Sequence, residues 1–541
     1  MTDWHFATAY EKIADVVGDQ PALICNDVVR TWSEFDDRAA RLASVLSSYG
    51  LGPDSKVGIY LHNCNEYLEA HHGILKMRGC PINVNYRYTE EELIYLLNNA
   101  DVEGIVYLGS YAPRIDKVLK QLDRVRCLIQ VDAGDGVELL DDALDYEEAI
   151  ADESPQPRML RPANDLYMLY TGGTTGLPKG VMYDVGVHCK NLANYSALLG
   201  IDPVETMEEL PGRVAASRDA GLLPVSLVCC PLMHGTGIWV GSMISHLCGG
   251  AVITVDKLGL DADLLWSVAQ KHRATTMTIV GDAFARPLLK ALDEAEQRQA
   301  PYDISSVKTM LSSGVMWSQE VKQGLLKHND MTLVDAMGST EGGMGMSVTN
   351  RESSAATAKF QLGEAVKVFD EDDREVESGS GRIGMIATRS AMIGYYKDSE
   401  KSGKTIRKIG GERYVFPGDF AQVEADGSIT LLGRGSMCIN TAGEKVFPEE
   451  VEEVVKRHGG IVDCLVVGVP DERFGERVVA VASRSDGALA EQALVDFCRD
   501  HIAGYKLPRQ VFFVDQVQRA PNGKADYKWA KQVALDQLAA G

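Results

Sequence analysis

Tyr170-Thr171-Gly172-Gly173-Thr174-Thr175-Gly176-Leu177-Pro178-Lys179-Gly180 follows the strand-like run 165–170 and has the chemistry of a phosphate cradle. Its glycines let the backbone approach an anion closely, its threonines offer hydroxyl donors, and Lys179 supplies a positive charge. The spelling is not that of a Walker A loop, which needs Ser or Thr after its lysine at a fixed distance from the first glycine. Here Pro178 precedes Lys179 and Gly180 follows it. A nucleotide is implied, outside the P-loop NTPases. A flexible surface turn is the plainer alternative, but such turns rarely end in Pro-Lys-Gly. A helix is expected over 181–199.

Around this loop lie 541 residues, enough for roughly three or four folding units. Hydrophobic residues make up 45%, so each unit can bury an interior and disorder is not expected. With 54 basic against 77 acidic residues the net charge is −23, which argues against a nucleic acid or an anionic membrane as main partner. The eleven cysteines form neither a CxxC pair nor a zinc spacing and read as reduced, mostly buried thiols. The His71-His72 doublet lacks the HExxH context of a metal site. No basic and apolar leader follows Met1 and no run is long enough to span a bilayer, so a soluble, cytoplasmic protein is the expectation.

Strands around Asn26-Asp27, a helix opening at Ser33 with Asp36 and ending at Gly50, and alternating strands and helices from 57 to 131 predict a largely parallel sheet. The alternation returns over 227–335. Over 361–396, short strand candidates with acidic and glycine-rich turns fit a small antiparallel barrel or sheet. After Gly433-Arg434-Gly435-Ser436 a last α+β unit begins. The stretch 201–226 interrupts the second unit, either as a lid or as a surface excursion. The fold class is therefore α/β: a large N-terminal domain (1–434) of two sheet-containing α/β subdomains plus a small β-barrel-like subdomain, then a small mobile α+β C-terminal domain (435–541).

Four further clusters carry chemistry. In Gly338-Ser339-Thr340-Glu341-Gly342 a hydroxyl beside a carboxylate suits a phosphate oxygen and its Mg²⁺, though Ser/Thr near Glu is also a common cap. Asp419, after the turn Phe416-Pro417-Gly418, could accept two ribose hydroxyls or serve the turn alone. Arg434 precedes a flexible joint and the loop 439–450, which ends in an acidic helix start. Lys524 sits on the Pro/Gly turn 519–524.

Taken together and in this order, these five motifs resemble the adenylate-forming superfamily of acyl-CoA synthetases, peptide-synthetase adenylation domains and luciferases. The likeness covers essentially the whole chain. Met182, Gly281-Asp282-Ala283-Phe284-Ala285-Arg286-Pro287, Gly394-Tyr395-Tyr396-Lys397-Asp398 and Ala503-Gly504-Tyr505-Lys506 are similar to actinobacterial synthetases acting on fatty acids and sterol side-chain carboxylates. The resemblance implies ATP, Mg²⁺ and coenzyme A, and two half-reactions. A carboxylate attacks the α-phosphorus of ATP, releasing pyrophosphate; the CoA thiol then attacks the acyl-adenylate, releasing AMP.

By the same resemblance, Thr171, Gly172, Gly173, Thr174, Thr175, Gly176 and Lys179 hold the departing phosphates. Thr340 contacts the α-phosphate and Glu341 orients the metal. Ser313, Gly314, Met337 and Gly338 border adenine, while Asp419 and Arg434 grip the ribose. Lys524 bridges the α-phosphate and the carboxylate, and Ala442, Gly443 and Glu444 line the pantetheine path after the C-terminal domain turns. Ser436 matches the hinge position, where Asp or Lys is more usual, and Met337 stands where many members have Tyr. The acyl pocket is expected from residues 231–237, the 281–283 turn and Met337-Gly338, with Gly235, Gly237 and Ala283 leaving volume. His234 taken alone reads as packing, and by the resemblance as a carboxylate-positioning or gating residue. The expected substrate is a hydrophobic carboxylic acid, either a sterol side-chain acid or a medium- to long-chain fatty acid. Alternatives are a fatty acyl-AMP ligase loading a carrier protein and a non-catalytic nucleotide-binding homologue. A homodimer is left open.

Overall fold

Short-range chemistry sets the first elements. Thr31, not Ser33, caps the helix Trp32–Ser48: its side chain accepts from the Glu34 amide while Glu34 reaches back to the Thr31 amide. The expected Ser33 start lies two residues after the true cap, within the first turn, because the reciprocal box needs a carboxylate long enough to return to the cap. The same device at Thr89 and Glu92 opens the helix Glu90–Asn99.

The computed structural model describes residues 4–134, 136–171, 178–353, 357–441, 444–471, 475–485, 487, 489–520 and 523–540. They are mixed α/β and divide into two compact units. The first comprises Met1–Gly342, Val348–Ala355 and Ser390–Ile406; the second comprises Gly343–Ser347, Ala356–Arg389 and Arg407–Gly541.

In the first unit, parallel strands run in the order Pro21–Cys25, Ala251–Thr254, Val225–Val228, Thr276–Ile279, Thr309–Ser313, Thr332–Ser339. A second parallel sheet orders Cys80–Asn83, Lys56–Tyr60, Val102–Leu108, Cys127–Val131 and Ala143–Asp145. Both are buried, as near-continuous apolar strands such as Cys127-Leu128-Ile129-Gln130-Val131 require. A third, antiparallel sheet joins Leu166–Thr171, Lys179–Asp184 and Met392–Tyr395.

That third sheet corrects the helix expected over 181–199. Val181-Met182-Tyr183 continue a strand, because Val181 and Tyr183 are both buried and Gly180 lets the Tyr170 ring pass where a side chain would stand. The helix starts only at Val185 and runs to Asn194. The stretch 201–226 packs back on the first unit's own helices. It holds the helix Leu210–Asp219, which buries Leu210 and Val214 and is tied by Arg218 to the Val16 carbonyl, 2.8 Å, at the end of helix Phe6–Val17.

In the second unit, Lys359–Leu362, Ile429–Arg434, Asp419–Val423, Ile383–Thr388 and Val366–Phe369 pair antiparallel in that order. A further sheet is built on the long hairpin Ile461–Asp471 and Gly475–Arg484, with Gln510–Val514 added parallel. Its alternation buries both faces. Val466, Val478 and Ala480 pack with Val451, Val455 and Leu494 on one side, and Leu465, Val467 and Val479 with Ala530 and Ala534 on the other. All eleven cysteines are unpaired, and only Cys229 and Cys438 are partly exposed. His71 and His72 are buried in the helix Asn65–Lys76, where His71 meets the Tyr167 hydroxyl and His72 meets Asp36, both at 3.2 Å. Burial pushes their imidazoles down to about 3 and about 4. Among the described residues no helix is long and apolar enough to cross a membrane.

Candidate active site

The cradle hairpin is held by register and by one polar side chain. Thr171 pairs with Lys179 and Tyr170 with Gly180 across the two strands. Residues 172–177, and with them Gly172, Gly173, Thr174, Thr175 and Gly176, lie outside the described residues. Asn83 is the pin. Its amide nitrogen donates to the carbonyls of Tyr170 (2.8 Å) and Met233 (2.7 Å), and its oxygen accepts from the Tyr170 amide (2.7 Å). One buried asparagine thus fastens the cradle strand to the segment that leads into His234. The only sequence signal for it is a polar residue closing an apolar strand. Lys179 Nζ donates to Asp398 Oδ2 at 2.6 Å, a half-exposed pair that holds the Asp398 carboxyl below its ordinary value.

Thr340 and Glu341 occupy the turn after strand Thr332–Ser339, yet they are tied to the cradle's sheet. The Tyr183 hydroxyl donates to the Thr340 carbonyl and the Ser390 hydroxyl to the Glu341 carbonyl. Tyr395 donates to Glu341 Oε1 at 2.7 Å. Glu341 is buried, and its amide donates to the Ser339 hydroxyl at 3.2 Å. Lys179 on the small sheet and the distant Thr340-Glu341 turn are therefore bonded into one local structure. None of Asn83, Tyr183, Ser390 and the Tyr395 hydroxyl was legible as part of this arrangement, because hydrogen bonds across 49 to 157 residues have no local signature.

The remaining first-unit residues follow the carboxyl ends of the parallel strands, where ligands of open α/β sheets sit. Ser313 ends Thr309–Ser313, and Gly314 follows it with φ +94°. Met337, buried, and Gly338, half-buried, lie near the end of the neighbouring strand, whose Ala336 is in register with Ser313. Beneath them Asp335 is buried with Lys322 at 3.3 Å; burial pushes its carboxyl up to about 6. His234 is half-buried, ahead of the wide-turn π-helix Thr236–Met243, a rare geometry frequent at functional sites. Here the small residues do not all leave volume. A Cβ on Gly237 would lie 2.2 Å from the Pro231 carbonyl oxygen, so that space is filled by backbone, and Gly235 faces the Trp239 ring. Asp282, in the first turn of helix Gly281–Gln297, accepts from the Ser318 amide at 2.9 Å and pairs with Arg286 at 3.0 Å.

In the second unit, Asp419 and Arg434 are cross-strand partners, with Arg434 Nε 3.3 Å from Asp419 Oδ1. Beside them Glu449, on the first turn of helix Pro448–Lys456, is pressed against Gly433. Burial, with Glu452 and Asp419 adding repulsion, pushes its carboxyl up to about 8. Lys524 stands exposed on a turn closed by Ala520 N to Lys524 O and Gly523 N to Ala520 O, both 2.8 Å. Arg519 anchors that turn with two bonds to Asp463, 2.6 and 2.7 Å, and one to the Gly523 carbonyl, 3.1 Å. Ser436 lies in the single 3₁₀ turn Gly435–Met437. Ala442 and Gly443 fall outside the described residues; the Glu444 backbone pairs with Thr441. Among the described residues no three His, Cys, Asp or Glu side chains gather as a metal cage.

Comparison with known proteins adds to this geometry. The family described as AMP-binding enzyme matches residues 10–396, and the AMP-binding enzyme C-terminal domain matches 450–524. The chain is 38% identical over 536 residues to the 3-oxocholest-4-en-26-oate–CoA ligase of Rhodococcus rhodochrous, covering 97% of this chain and 95% of that one. It is equally 38% identical to a medium/long-chain-fatty-acid–CoA/3-oxocholest-4-en-26-oate–CoA ligase of Mycobacterium tuberculosis, over 98% and 96%. In fold it matches the anthranilate CoA ligase AuaEII in complex with anthranoyl-AMP, with TM-score 0.84, 20% identity and coverage of 100% and 98%. ATP-bound MatB from Rhodopseudomonas palustris gives TM-score 0.79, 23% identity and coverage of 97% and 98%.

Proposed function

The chain belongs to the AMP-binding enzyme family, and we propose that it is an AMP-forming acid–thiol ligase converting a hydrophobic carboxylic acid to its CoA thioester. The observation that carries the reading is that the turn bearing Thr340 and Glu341 is hydrogen-bonded to the three-stranded sheet that carries Lys179. Full-length identity to ligases named for sterol side-chain and medium- to long-chain fatty acids supports the acid class.

The first step joins two anions, so the site must screen repulsion and align the attack. Lys179 and the loop from Thr171 take the charge that leaves as pyrophosphate. Thr340 donates its hydroxyl to the α-phosphate. The donor set at Glu341 is a carboxylate beside a hydroxyl, the hard oxygens that suit Mg²⁺. The metal, when bound, supplies neutralisation of the phosphate charge. Asp419 accepts the ribose hydroxyls and Arg434 holds Asp419 in place. Lys524, exposed on its anchored turn, contributes positive charge where the pentacoordinate phosphorus forms. Ser313, Gly314, Met337 and Gly338 border the base, while His234 faces the acid. Residues 435–541 then turn about Ser436, carrying Lys524 away and bringing the 442–444 loop to the thiol.

Incubation with ATP, Mg²⁺, CoA and a panel of short, long and steroid acids tests the reading. AMP and a thioester are expected with bulky lipophilic acids. Formation of ADP, or no AMP with any acid, would sink it, and a thioester only on holo-carrier protein would move the acceptor away from CoA.

A further inference from the structure

We propose that Tyr395 is a positioning residue for Glu341, setting its carboxylate to receive a divalent cation that arrives with nucleoside triphosphate. The inference rests on the reading of this site as nucleotide-activating and goes beyond it to a side chain that touches neither phosphate nor acid.

A glutamate on a turn has three free torsions, and a carboxylate that wanders among rotamers is a poor metal ligand. Here the backbone around Glu341 is tied down by two bonds and one carboxylate oxygen is held by a third. The Glu341 carbonyl accepts from Ser390, the preceding carbonyl accepts from Tyr183, and Oε1 accepts from the Tyr395 phenol at 2.7 Å. A carboxylate offers about four lone-pair directions, so one phenolic donor fixes its plane and leaves acceptor capacity for a cation. A neutral donor also leaves the negative charge that the cation needs, which an arginine or lysine partner would cancel.

Tyr395 is itself immobilised. It is buried, and its strand pairs with Val181 and Met182 of the cradle hairpin. Its amide donates to Ser402 Oγ at 2.8 Å, and the Lys401 ammonium lies 4.3 Å from its ring centroid. Three residues on, Asp398 holds Lys179. One short segment, 390–398, therefore touches both the Glu341 carboxylate and the lysine of the cradle.

The test is Mn²⁺ binding, read by electron paramagnetic resonance in the presence of α,β-methylene-ATP and with no acid or CoA. Tyr395→Phe removes one oxygen and is expected to weaken Mn²⁺ by about 10- to 100-fold. The Mg²⁺ concentration for half-maximal pyrophosphate release should rise in parallel, with the KM for the acid unmoved at saturating Mg²⁺. Added to Glu341→Gln, the same substitution should weaken Mn²⁺ no further. Unchanged Mn²⁺ affinity in Tyr395→Phe, or equal weakening in both backgrounds, overturns the inference. If Tyr395→Phe does not fold, Ser390→Ala carries the same expectation and the same refutation. A metal shift in a protein that forms no AMP would leave this inference standing and remove the proposed function; AMP formation without a metal shift would do the reverse.

Discussion

Replacing Glu449 by glutamine should weaken a pH dependence that it shares with Glu452 in the second unit. The wild-type carboxyl is buried against Gly433, where a Cβ would fall 2.2 Å from Oε2, with Glu452 and Asp419 close enough to oppose its ionisation. Its own amide and that of Arg434 act the other way, but burial dominates and the carboxyl is pushed from 4.5 up to about 8. Between these values the folded unit keeps a proton that the unfolded chain has released. The associated stability is complete below about pH 4.5 and is lost as the pH rises through about 8. At about 1.4 kcal/mol per pH unit, the loss between roughly pH 6 and pH 9 is about 3 kcal/mol, or about 100-fold in an opening equilibrium. Hydrogen–deuterium exchange of helix Pro448–Lys456, corrected for the intrinsic pH dependence, reads this directly. Glu449→Gln keeps the shape of the neutral acid and should give protection that falls less steeply over the same range, the remaining slope coming from buried Glu452 on the same helix. Wild-type protection that does not fall with pH, or a glutamine variant that falls just as steeply, would refute the reasoning.

Lys524→Ala should lower pyrophosphate release by about 10²- to 10³-fold while sparing thioester formation from supplied acyl-adenylate; equal loss in both assays removes Lys524 from the first step. Asp398→Asn should cost under about 1 kcal/mol of stability, since the Lys179 pair is half-exposed, and should tighten ATP binding a few-fold by removing a negative charge from the phosphate site. Weaker ATP binding by calorimetry would show that the pair orients Lys179 rather than competing for it. Gly281→Ala should destabilise the first unit by about 1–3 kcal/mol in thermal denaturation, because Gly281 has φ +49° and its Cβ would meet the Val315 and Met316 carbonyls at 2.5 Å. An unchanged melting temperature would contradict that geometry.

The sheet strands and capped helices were largely legible in the residues. Val102–Leu108 announces itself by an apolar run, and Glu90–Asn99 by Thr89 and Glu92, because burial periodicity and capping act within a few residues. Errors arose where local signals compete. Val181-Met182-Tyr183 fits a helix or a strand by composition, and only pairing with residues 166–171 on one side and 392–395 on the other settles it. Glycine was ambiguous in the same way. Gly237 reads as room for an acyl chain until the Pro231 carbonyl is found where its side chain would go.

For the site, the spelling from Thr171 to Gly180 already excludes a Walker loop, and the order of Thr340, Glu341, Asp419, Arg434 and Lys524 carries the family resemblance, since phosphate and ribose chemistry restricts which residue types can serve. What the chain alone leaves undetermined is how those groups are held. Asn83 pinning Tyr170, Tyr183 holding Thr340, Tyr395 holding Glu341 and Glu449 buried beside Asp419 are decided only in three dimensions. Residue type supplies the donors and the charges. Their orientation and protonation depend on neighbours that the fold brings from elsewhere in the chain.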